Sequence, residues 1–328
     1  MRNTELEYFK IDEVDGLEVI SLLDNSADFL STPERKEVQH FREWTRKRYG
    51  GEWASANSKL PFAEHGFSML IRTFREGKST SILFDTGSSS NGVTENARRM
   101  GINLKEVETI VLSHGHYDHF GGLLSSLDAI GRANLPLVVH EDMFKTRGVI
   151  NPDGTIRVYP EFPRKGELSA AKLIIAKQPY LIANAGVLVA GEIPRETNFE
   201  KGYPQHRALM NGLWQPNPVL LDDRAIIINV QAKGLVVISG CAHAGIINTL
   251  NYAKRITGIA EVYAVIGGFH LAGKDAETRI PKSVEEIQRI DPAIIVAAHC
   301  TGWRAKCAIA NNMPKKFIWN SVGTLYKL

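Results

Sequence analysis

The sequence contains little cysteine, no long apolar run and almost no charge imbalance. Its three cysteines, Cys241, Cys300 and Cys307, are too few and too odd in number for a disulfide framework, which favours a reduced, intracellular setting. No apolar run reaches the roughly 20 residues that a membrane span needs. The first eight residues contain no apolar signal core, so the sequence predicts a cytoplasmic protein without a membrane partner.

Length and charge set further bounds. The chain has 328 residues, and 44% of them are hydrophobic, which is enough for a large core and for one large domain or two small ones. The formal net charge of +3 is slight, so it gives no argument for a nucleic-acid partner. A homo-oligomer is compatible with this composition.

Metal-ligand residues are concentrated in one short stretch. His114, His116, Asp118 and His119 fall within six residues, after an apolar run at 109–112 and before a Gly-Gly pair. On a helix this spacing would scatter the side chains around the axis, whereas a strand that ends in a tight turn lets them converge. Neutral imidazole and carboxylate are ligands of zinc, iron and manganese. The stretch holds more such groups than one tetrahedral site needs, which predicts two metal ions side by side.

The same pattern recurs at other strand ends. A His or Asp close to a glycine ends five predicted strands, at Asp85, His114, His243, His270 and His299. Strand ends meet along one edge of a sheet, and that edge is where α/β proteins place their sites. Packed without a metal, such buried polar groups would need other partners. The alternation of hairpins, strands and helices in both halves of the chain predicts an α/β fold.

The stretch at 114–119 resembles the signature of the metallo-β-lactamase superfamily, His-x-His-x-Asp-His followed by glycine. The resemblance implies a single domain over residues 1–328, built as a four-layer αββα sandwich with inserted loops that cover the site. It also implies two divalent metal ions, zinc first, with manganese or iron as alternatives. Asp85, in a strand-end Asp-x-Gly, corresponds to the residue that supports the ligands by hydrogen bonds. The implied ligand sets are His114, His116 and His243 for one ion, and Asp118, His119 and His299 for the other.

Two positions depart from the usual superfamily pattern. Glu192 stands where most members carry a histidine, and Cys241 stands where they carry a bridging aspartate. Either His243 replaces the absent histidine, with Cys241 near or on the metal, or the second ion is weakly held or missing. Cys241 is then a ligand, since thiolate suits zinc, or a buried bystander. His270 is additional: it is a ligand, a general acid, a substrate contact or a packed strand-end side chain.

Further motifs support a closer resemblance. They are Glu-His-Gly-Phe-Ser at 64–68, Gly-Cys-Ala-His-Ala-Gly at 240–245, Gly-Gly-Phe-His at 267–270 and His-Cys-Thr-Gly at 299–302. Together they resemble the branch of 7,8-dihydropterin-6-yl-methyl-4-(β-D-ribofuranosyl)aminobenzene-5′-phosphate synthase. The branch implies a small anionic substrate, phosphorylated or pterin-like, and transfer of a dihydropterin-methyl group with release of diphosphate. We expect Asp118 and His270 to be the catalytic residues.

Some competing functions differ from this transfer in the nucleophile that they use, and others involve no such reaction. A metal-dependent hydrolase of a phosphoester or lactone would use water in place of an arylamine. A di-iron oxygen or nitric oxide reductase usually carries Glu where this chain has His116, and a nuclease would need an inserted domain and a basic surface. A non-catalytic metal-bound sensor or binding protein is distinguished from an enzyme only by its lack of turnover.

Two segments are candidates for walls of the pocket. Residues 29–60, with a helix predicted over 34–48, form either a solvated helix and loop or a flap over an anionic, planar ligand. Residues 196–218 are predicted to be a long irregular loop that forms a second wall, and 143–162 a further loop. The Gly-Ser-Ser-Ser run at 87–90 indicates an Asx-turn or a phosphate cradle. The side chains that we expect to contact such a ligand are among Arg46, Arg48, Arg195, Arg207, Trp44, Trp53 and Trp214.

Overall fold

The computed structural model describes residues 8–56 and 59–328. Runs in which neighbouring apolar residues pack on opposite faces form the strands, and segments with one apolar face form the helices. The strands are β1 (Glu13–Val14), β2 (Gly16–Leu23), β3 (Val38–Gln39), β4 (Ser68–Arg75), β5 (Lys78–Phe84), β6 (Val107–Val111), β7 (Leu135–Val139), β8 (Arg147–Ile150), β9 (Ile156–Val158), β10 (Ala171–Ile175), β11 (Tyr180–Ile182), β12 (Val187–Val189), β13 (His206–Met210), β14 (Leu213–Pro216), β15 (Ala225–Val230), β16 (Gly234–Ser239), β17 (Val262–Gly268), β18 (Ile294–Ala298), β19 (Phe317–Trp319) and β20 (Leu325–Lys327). The helices are α1 (Phe41–Tyr49), α2 (Gly51–Ala56), α3 (Gly92–Arg99), α4 (Tyr117–Phe120), α5 (Leu123–Ile130), α6 (Ile246–Thr257), α7 (Lys274–Glu277), α8 (Ile280–Ile290) and α9 (Trp303–Asn312).

Across these two ranges the strands form three sheets. The first has the order β11-β12-β15-β16-β17-β18-β19, with β1 also paired to β15. The second has the order β10-β7-β6-β5-β4-β2-β20-β3. The third is smaller, with the order β14-β13-β8-β9. The N-terminal and C-terminal parts of the chain are joined in the second sheet, because β20 pairs with β2 in antiparallel register.

The two large sheets pack face to face. On β15, Ile226 and Ile228 lie in the core between the sheets, whereas Ile227 lies in the core beneath the helices. This follows from the two-residue period of a strand, which sends neighbouring side chains to opposite faces. A strand covered on both faces has no polar side to show, and all six residues of β15 are buried.

Helices cover the outer face of each sheet. Helices α6, α8 and α9 pack on the first sheet through residues such as Leu250, Ile287 and Ile309. Helices α3 and α5 pack on the second sheet through residues such as Ala97 and Leu127. The order of layers is therefore helix, sheet, sheet, helix, which confirms the predicted αββα sandwich. None of the helices in the described ranges is long and apolar enough to cross a bilayer.

The third sheet was not predicted. The segment 143–162 was predicted to be a loop and 196–218 an irregular segment, but they contain β8, β9, β13 and β14. These predictions are wrong because the strands stabilise each other across a long sequence separation: His206 lies opposite Val149, and Ala208 opposite Arg147. Short strands with distant partners carry little local signal.

The segment 29–60 packs against the second sheet. The helix predicted over 34–48 begins only at Phe41, because Val38 and Gln39 pair with the C-terminal strand β20 instead. Trp44 is 1% exposed, and its indole Nε1 donates a hydrogen bond to the Gly323 carbonyl at 2.7 Å. Arg48 forms an ion pair with Glu18 at 2.7 Å. Trp44 thus holds the C-terminal segment to α1, and Arg48 holds α1 to β2.

We predict that Trp44→Phe lowers the free energy of unfolding by about 1–3 kcal/mol, because it leaves the buried Gly323 carbonyl without a donor. Denaturant unfolding monitored by circular dichroism would measure the change. The matched control is Trp319→Phe, since Trp319 is 45% exposed and donates to the exposed Ser26 hydroxyl. Metal content should be the same in both variants and the wild type. A loss of bound metal in Trp44→Phe would contradict the structural role and favour the flap.

Candidate metal centre

The candidate ligands follow the ends of strands in both large sheets. Parallel strands β5 and β6 of the second sheet lead to Asp85 and to the 114–119 stretch. Parallel strands β16, β17 and β18 of the first sheet lead to Cys241, His270 and His299. Because the two sheets face each other, these ends meet at one rim of the sandwich. They border a cavity of about 350 Å³, which we call the metal cavity.

Three histidine nitrogens of one donor set converge at the bottom of the metal cavity. His114 Nε2 lies 3.0 Å from His116 Nδ1, and His243 Nε2 lies 3.2 Å from His114 Nε2. Nitrogen ligands about 2.0–2.1 Å from a tetrahedral zinc ion lie roughly 3.4 Å apart, which is close to these separations. Burial lowers the pKa of each of these three histidines well below its usual range, so all are neutral. Neutral imidazole is the form that binds metals.

Hydrogen bonds assign the protons of two of these rings. The Ser113 hydroxyl donates to Asp85 Oδ2 at 2.7 Å, so at 2.9 Å it accepts from His114 Nδ1 and leaves His114 Nε2 without a proton. His206 Nδ1 donates to the Asn217 carbonyl at 2.9 Å. The unprotonated His206 Nε2 therefore accepts from His116 Nε2 at 3.2 Å, and His116 Nδ1 carries a lone pair.

The result is two lone pairs that face each other, His114 Nε2 and His116 Nδ1, 3.0 Å apart in a buried site. Two acceptors at this distance repel unless a cation lies between them. The residues of this set therefore fit a metal ion.

A second donor set lies beside the first. His299 Nδ1 lies 2.8 Å from Asn25 Oδ1 and donates to it, and His299 Nε2 lies 3.2 Å from the carboxylate of Asp118. His119 Nδ1 donates to Asp85 at 2.7 Å, and its Nε2 lies 3.1 Å from Cys241 Sγ. Imidazole nitrogens, a carboxylate and a sulfur thus lie close together, and this mixture of donors fits a cation.

Cys241 lies between the two sets. Cys241 Sγ lies within 4.8 Å of ring nitrogens of His114 and His243. It also lies within 4.8 Å of ring nitrogens of His119 and His299. Burial raises the pKa of the Cys241 thiol well above its usual range. A thiolate in this position needs a neighbouring positive charge, and a metal ion supplies one.

Protonation of the second set opposes metal binding. Burial alone would lower the pKa of His119, but the carboxylates of Asp85 and Asp118 raise it to about 9. Burial would raise the pKa of Asp118, but His119, His299 and His65 hold it well below its usual range. A metal ion at His119 must therefore displace a proton that Asp85 and Asp118 stabilise.

Buried acidic residues fix the loops that carry the ligands. Asp222 Oδ2 accepts from the Gly115 amide at 2.8 Å and pairs with Arg147 at 2.9 Å. Asp223 Oδ2 accepts from the Ala244 amide at 2.8 Å. The consecutive aspartates thus hold both histidine loops, and Arg147 ties the third sheet to the centre.

Close packing explains one glycine and excludes one predicted site. A Cβ on Gly121 would lie 1.9 Å from the Ser88 carbonyl oxygen, so only glycine fits after the histidine stretch. The Gly-Ser-Ser-Ser run at 87–90 was a candidate phosphate cradle. That prediction is wrong, because the Glu64 carboxylate accepts from the Ser88 and Ser89 amides at 3.0 and 2.9 Å.

The structure separates the other predicted ligand contacts from the metal cavity. Arg195 and Arg207 donate to backbone carbonyls. The Glu192 carboxylate lies 3.1 Å from the Nε2 atom of His140, whose side chain is 1% exposed. His270 does line the cavity, with its ring centroid 4.2 Å from that of His243. None of the described residues of 29–60 is among the lining residues, which are Asn25, His65, His116, Tyr117, Asp118, Arg157, Tyr159, Tyr203, Cys241, His243, His270, Ala272, His299, Cys300 and Gly302.

Sequence reasoning missed three residues that orient the donors. Asn25 accepts from His299, and its amide nitrogen lies 3.1 Å from His65 Nδ1. His65 Nε2 lies 3.4 Å from Asp118, and His206 sets the proton position of His116. The available signals were weak: Asn25 lies just after β2, His65 lies in the Glu-His-Gly-Phe-Ser motif, and His206 lies in the segment predicted to form a pocket wall.

The family of the chain follows from comparison. The family model described as the metallo-beta-lactamase superfamily matches residues 62–299, which include almost every candidate donor. The chain belongs to the metallo-β-lactamase superfamily. Members are metal-dependent, in agreement with the donor sets described above. The predicted resemblance to this superfamily is confirmed.

Individual relatives refine the placement within the superfamily. The 7,8-dihydropterin-6-methyl-4-(β-D-ribofuranosyl)-aminobenzene-5′-phosphate synthase of Methanocaldococcus jannaschii is 32% identical over 84% of this chain and 94% of its own length. An uncharacterized protein of the same organism is 35% identical over 80% of this chain and 93% of its own. Among solved structures, the metal-dependent hydrolase Tm1679 of the β-lactamase superfamily shares the fold, with a TM-score of 0.70 and 23% identity over 95% of this chain and 98% of its own.

We predict that His206→Leu lowers zinc affinity by roughly 10–100-fold, because no acceptor then holds the proton of His116 on Nε2. His206→Gln should retain affinity within a few-fold, since its amide oxygen can accept the same bond. Competition with a chelator of known affinity would measure both. The control is His140→Leu, which removes a buried histidine outside the metal cavity. Wild-type affinity in His206→Leu would contradict the assignment.

Proposed function

We propose that this chain is a two-metal enzyme that transfers a dihydropterin-methyl group from its diphosphate to an arylamine ribose phosphate. The observation that carries the proposal is the pair of donor sets that meet at Cys241 on the floor of one cavity. The synthase of M. jannaschii, 32% identical along most of both chains, supports the choice of reaction. The expected partner is thus a small, phosphorylated, pterin-like molecule.

The geometry supports an assignment of residues to the two ions. His114, His116 and His243 would hold one ion, and Asp118, His119 and His299 the other, with the Cys241 thiolate shared. Zinc suits this mixture of imidazole, carboxylate and thiolate, with manganese or iron as alternatives. When bound, two such ions supply Lewis-acid charge that stabilises a leaving diphosphate.

The cavity walls suit a planar, anionic substrate. Tyr117, Tyr159 and Tyr203 line the cavity together with Arg157, whose guanidinium lies 5.3 Å from the ring centre of Tyr159. Aromatic rings offer stacking surface to a pterin, and arginine attracts phosphate oxygens. Tyr203 lies nearly parallel to His243, at 13° between the rings. A ring bound along this wall would lie directly above the donor sets.

The proposed reaction is a substitution at the pterin methylene carbon. A bond forms between the arylamine nitrogen and this carbon, and the carbon–oxygen bond to diphosphate breaks with its electron pair leaving on diphosphate. The nitrogen must then lose a proton. His270 is placed to take it, because it lines the cavity and its Nδ1 has no hydrogen-bond partner among the described residues. His65 also lines the cavity, but its Nδ1 accepts from Asn25 and its Nε2 faces Asp118, so both of its ring nitrogens are engaged.

Hydrolysis is the second candidate function. The same His65–Asp118 contact could orient water in place of the arylamine, and the substrate would then be a phosphoester or lactone. Only the nucleophile distinguishes this reaction from the transfer. A sensor or binding protein would retain the donor sets but show neither reaction.

We predict about two equivalents of divalent metal per chain in the purified protein. Cys241→Ala should lose at least one equivalent, because the shared ligand is removed, and His114→Ala and His243→Ala should also fall. Elemental mass spectrometry would measure the content. In cobalt-substituted protein, the thiolate-to-cobalt charge-transfer band should disappear in Cys241→Ala. Cys307→Ala, which removes an exposed cysteine, is the control and should match the wild type.

An unchanged metal content and charge-transfer band in Cys241→Ala would show that Cys241 is a bystander. No metal uptake by the wild type would overturn the proposed function as a whole.

We predict that the metal-loaded protein forms the condensed pterin–arylamine product and diphosphate only when both substrates are present. Mass spectrometry would identify the product, and Asp118→Asn should reduce its rate by at least tenfold because it removes a charged donor. Release of diphosphate without arylamine consumption would replace transfer by hydrolysis. Turnover of a phosphodiester or lactone alone would do the same.

A further inference from the structure

A second pocket opens beside the metal cavity. It has a volume of about 370 Å³ and is formed by the segment before β13 and by the segment around α7. We call it the distal pocket. Tyr203, His270 and Ala272 line both the distal pocket and the metal cavity. One molecule can therefore extend from the donor sets, past Tyr203 and His270, into the distal pocket.

Positive charge is concentrated in the distal pocket. Lys201, Lys274 and Arg279 line it from three points of the wall. Lys201 and Lys274 are exposed and form no ion pair with any part of the chain that the structure describes. Arg279 is half-buried, and its guanidinium donates to the His270 carbonyl at 3.3 Å. The pocket thus places three cations around one space.

The two carboxylates near these cations, those of Asp275 and Glu200, already accept hydrogen bonds from other parts of the protein. Asp275 lines the pocket, but its Oδ2 accepts a hydrogen bond from the side chain of Gln205 across the pocket. Glu200 is buried and accepts from the amides of Ile247 and Asn248 at 3.1 and 2.9 Å, at the start of α6. Neither carboxylate forms an ion pair within 4.0 Å with Arg279 in the described ranges. An excess of positive charge therefore remains for a ligand.

We propose that the distal pocket binds a terminal phosphate monoester at the end of the substrate away from the reacting carbon. A phosphate monoester carries a charge of about −1.5 to −2 at neutral pH, which complements the net positive charge that three cations retain beside two carboxylates. Each cavity alone is at the small end of ligand pockets, which span roughly 300–1,000 Å³, so an extended substrate needs both. Placing this phosphate on the reacting substrate rests on the proposed function.

Binding of phenyl phosphate to the zinc-loaded full-length protein, measured by calorimetry, would test the proposal. The wild type should show two classes of site, one at the donor sets and one in the distal pocket. The double variant Lys201→Gln/Lys274→Gln should weaken binding in the distal pocket about tenfold and leave binding at the donor sets unchanged. Both lysines are exposed, so the variant should fold, and circular dichroism would verify this.

A matched control removes two cations that do not line the distal pocket. Lys282→Gln/Arg304→Gln changes the net charge equally, and these residues pair with Glu285 and Glu277 instead. It should bind phenyl phosphate as the wild type does. Equal binding by the pocket variant and the control variant would overturn the proposal.

A third variant separates the two proposals. His114→Ala, which disrupts the donor sets, should lose the metal class and retain the class that depends on Lys201 and Lys274. If the zinc-loaded wild type shows only the lysine-dependent class, the proposed function fails and the distal site stands. If the wild type shows only the class of site that His114→Ala loses, the proposal that the distal pocket binds phosphate fails.

Discussion

Repulsion between buried lone pairs is the constraint on which the centre depends. Hydrogen bonds turn the proton of His114 toward Ser113, that of His116 toward His206 and that of His299 toward Asn25. The free nitrogens of His114 and His116 are thereby aimed at each other, 3.0 Å apart, and His299 Nε2 faces Asp118 at 3.2 Å. A buried arrangement of this kind is unfavourable without a cation and favourable with one. The surrounding hydrogen bonds therefore orient these nitrogens toward a candidate metal site.

The fold supplies the rigidity that this arrangement requires. Strands β5 and β6 in one sheet and β16, β17 and β18 in the other end at the same rim, and the last three residues of each strand are buried. Asp222 and Asp223 then clamp the two histidine loops through backbone amides. Because Arg147 joins Asp222 to the third sheet, the wall of the cavity and its floor form one connected structure.

Much of the fold was predictable, since hydrophobic periodicity is a local property. The strand before His114 and the helix after Gly245 follow from patterns within a dozen residues, whereas the layer order was implied by the resemblance to the superfamily. The third sheet was not predictable, because its paired residues His206 and Val149 are far apart in sequence. The short strands that contain them also have no strong hydrophobic pattern. The Gly-Ser-Ser-Ser run was misinterpreted for the same reason: its partner, Glu64, lies on a different segment.

The sequence by itself determined the superfamily and the list of candidate donors, because His114, His116, Asp118 and His119 share one strand end and their spacing is fixed by the backbone. Tertiary structure alone decided that Cys241 lies between both donor sets, that His206 orients His116, and that Trp44 belongs to the core and not to the pocket. Spacing along the chain fixes only near neighbours. The contacts of Cys241, His206 and Trp44 depend on how two sheets and a distant hairpin pack in three dimensions.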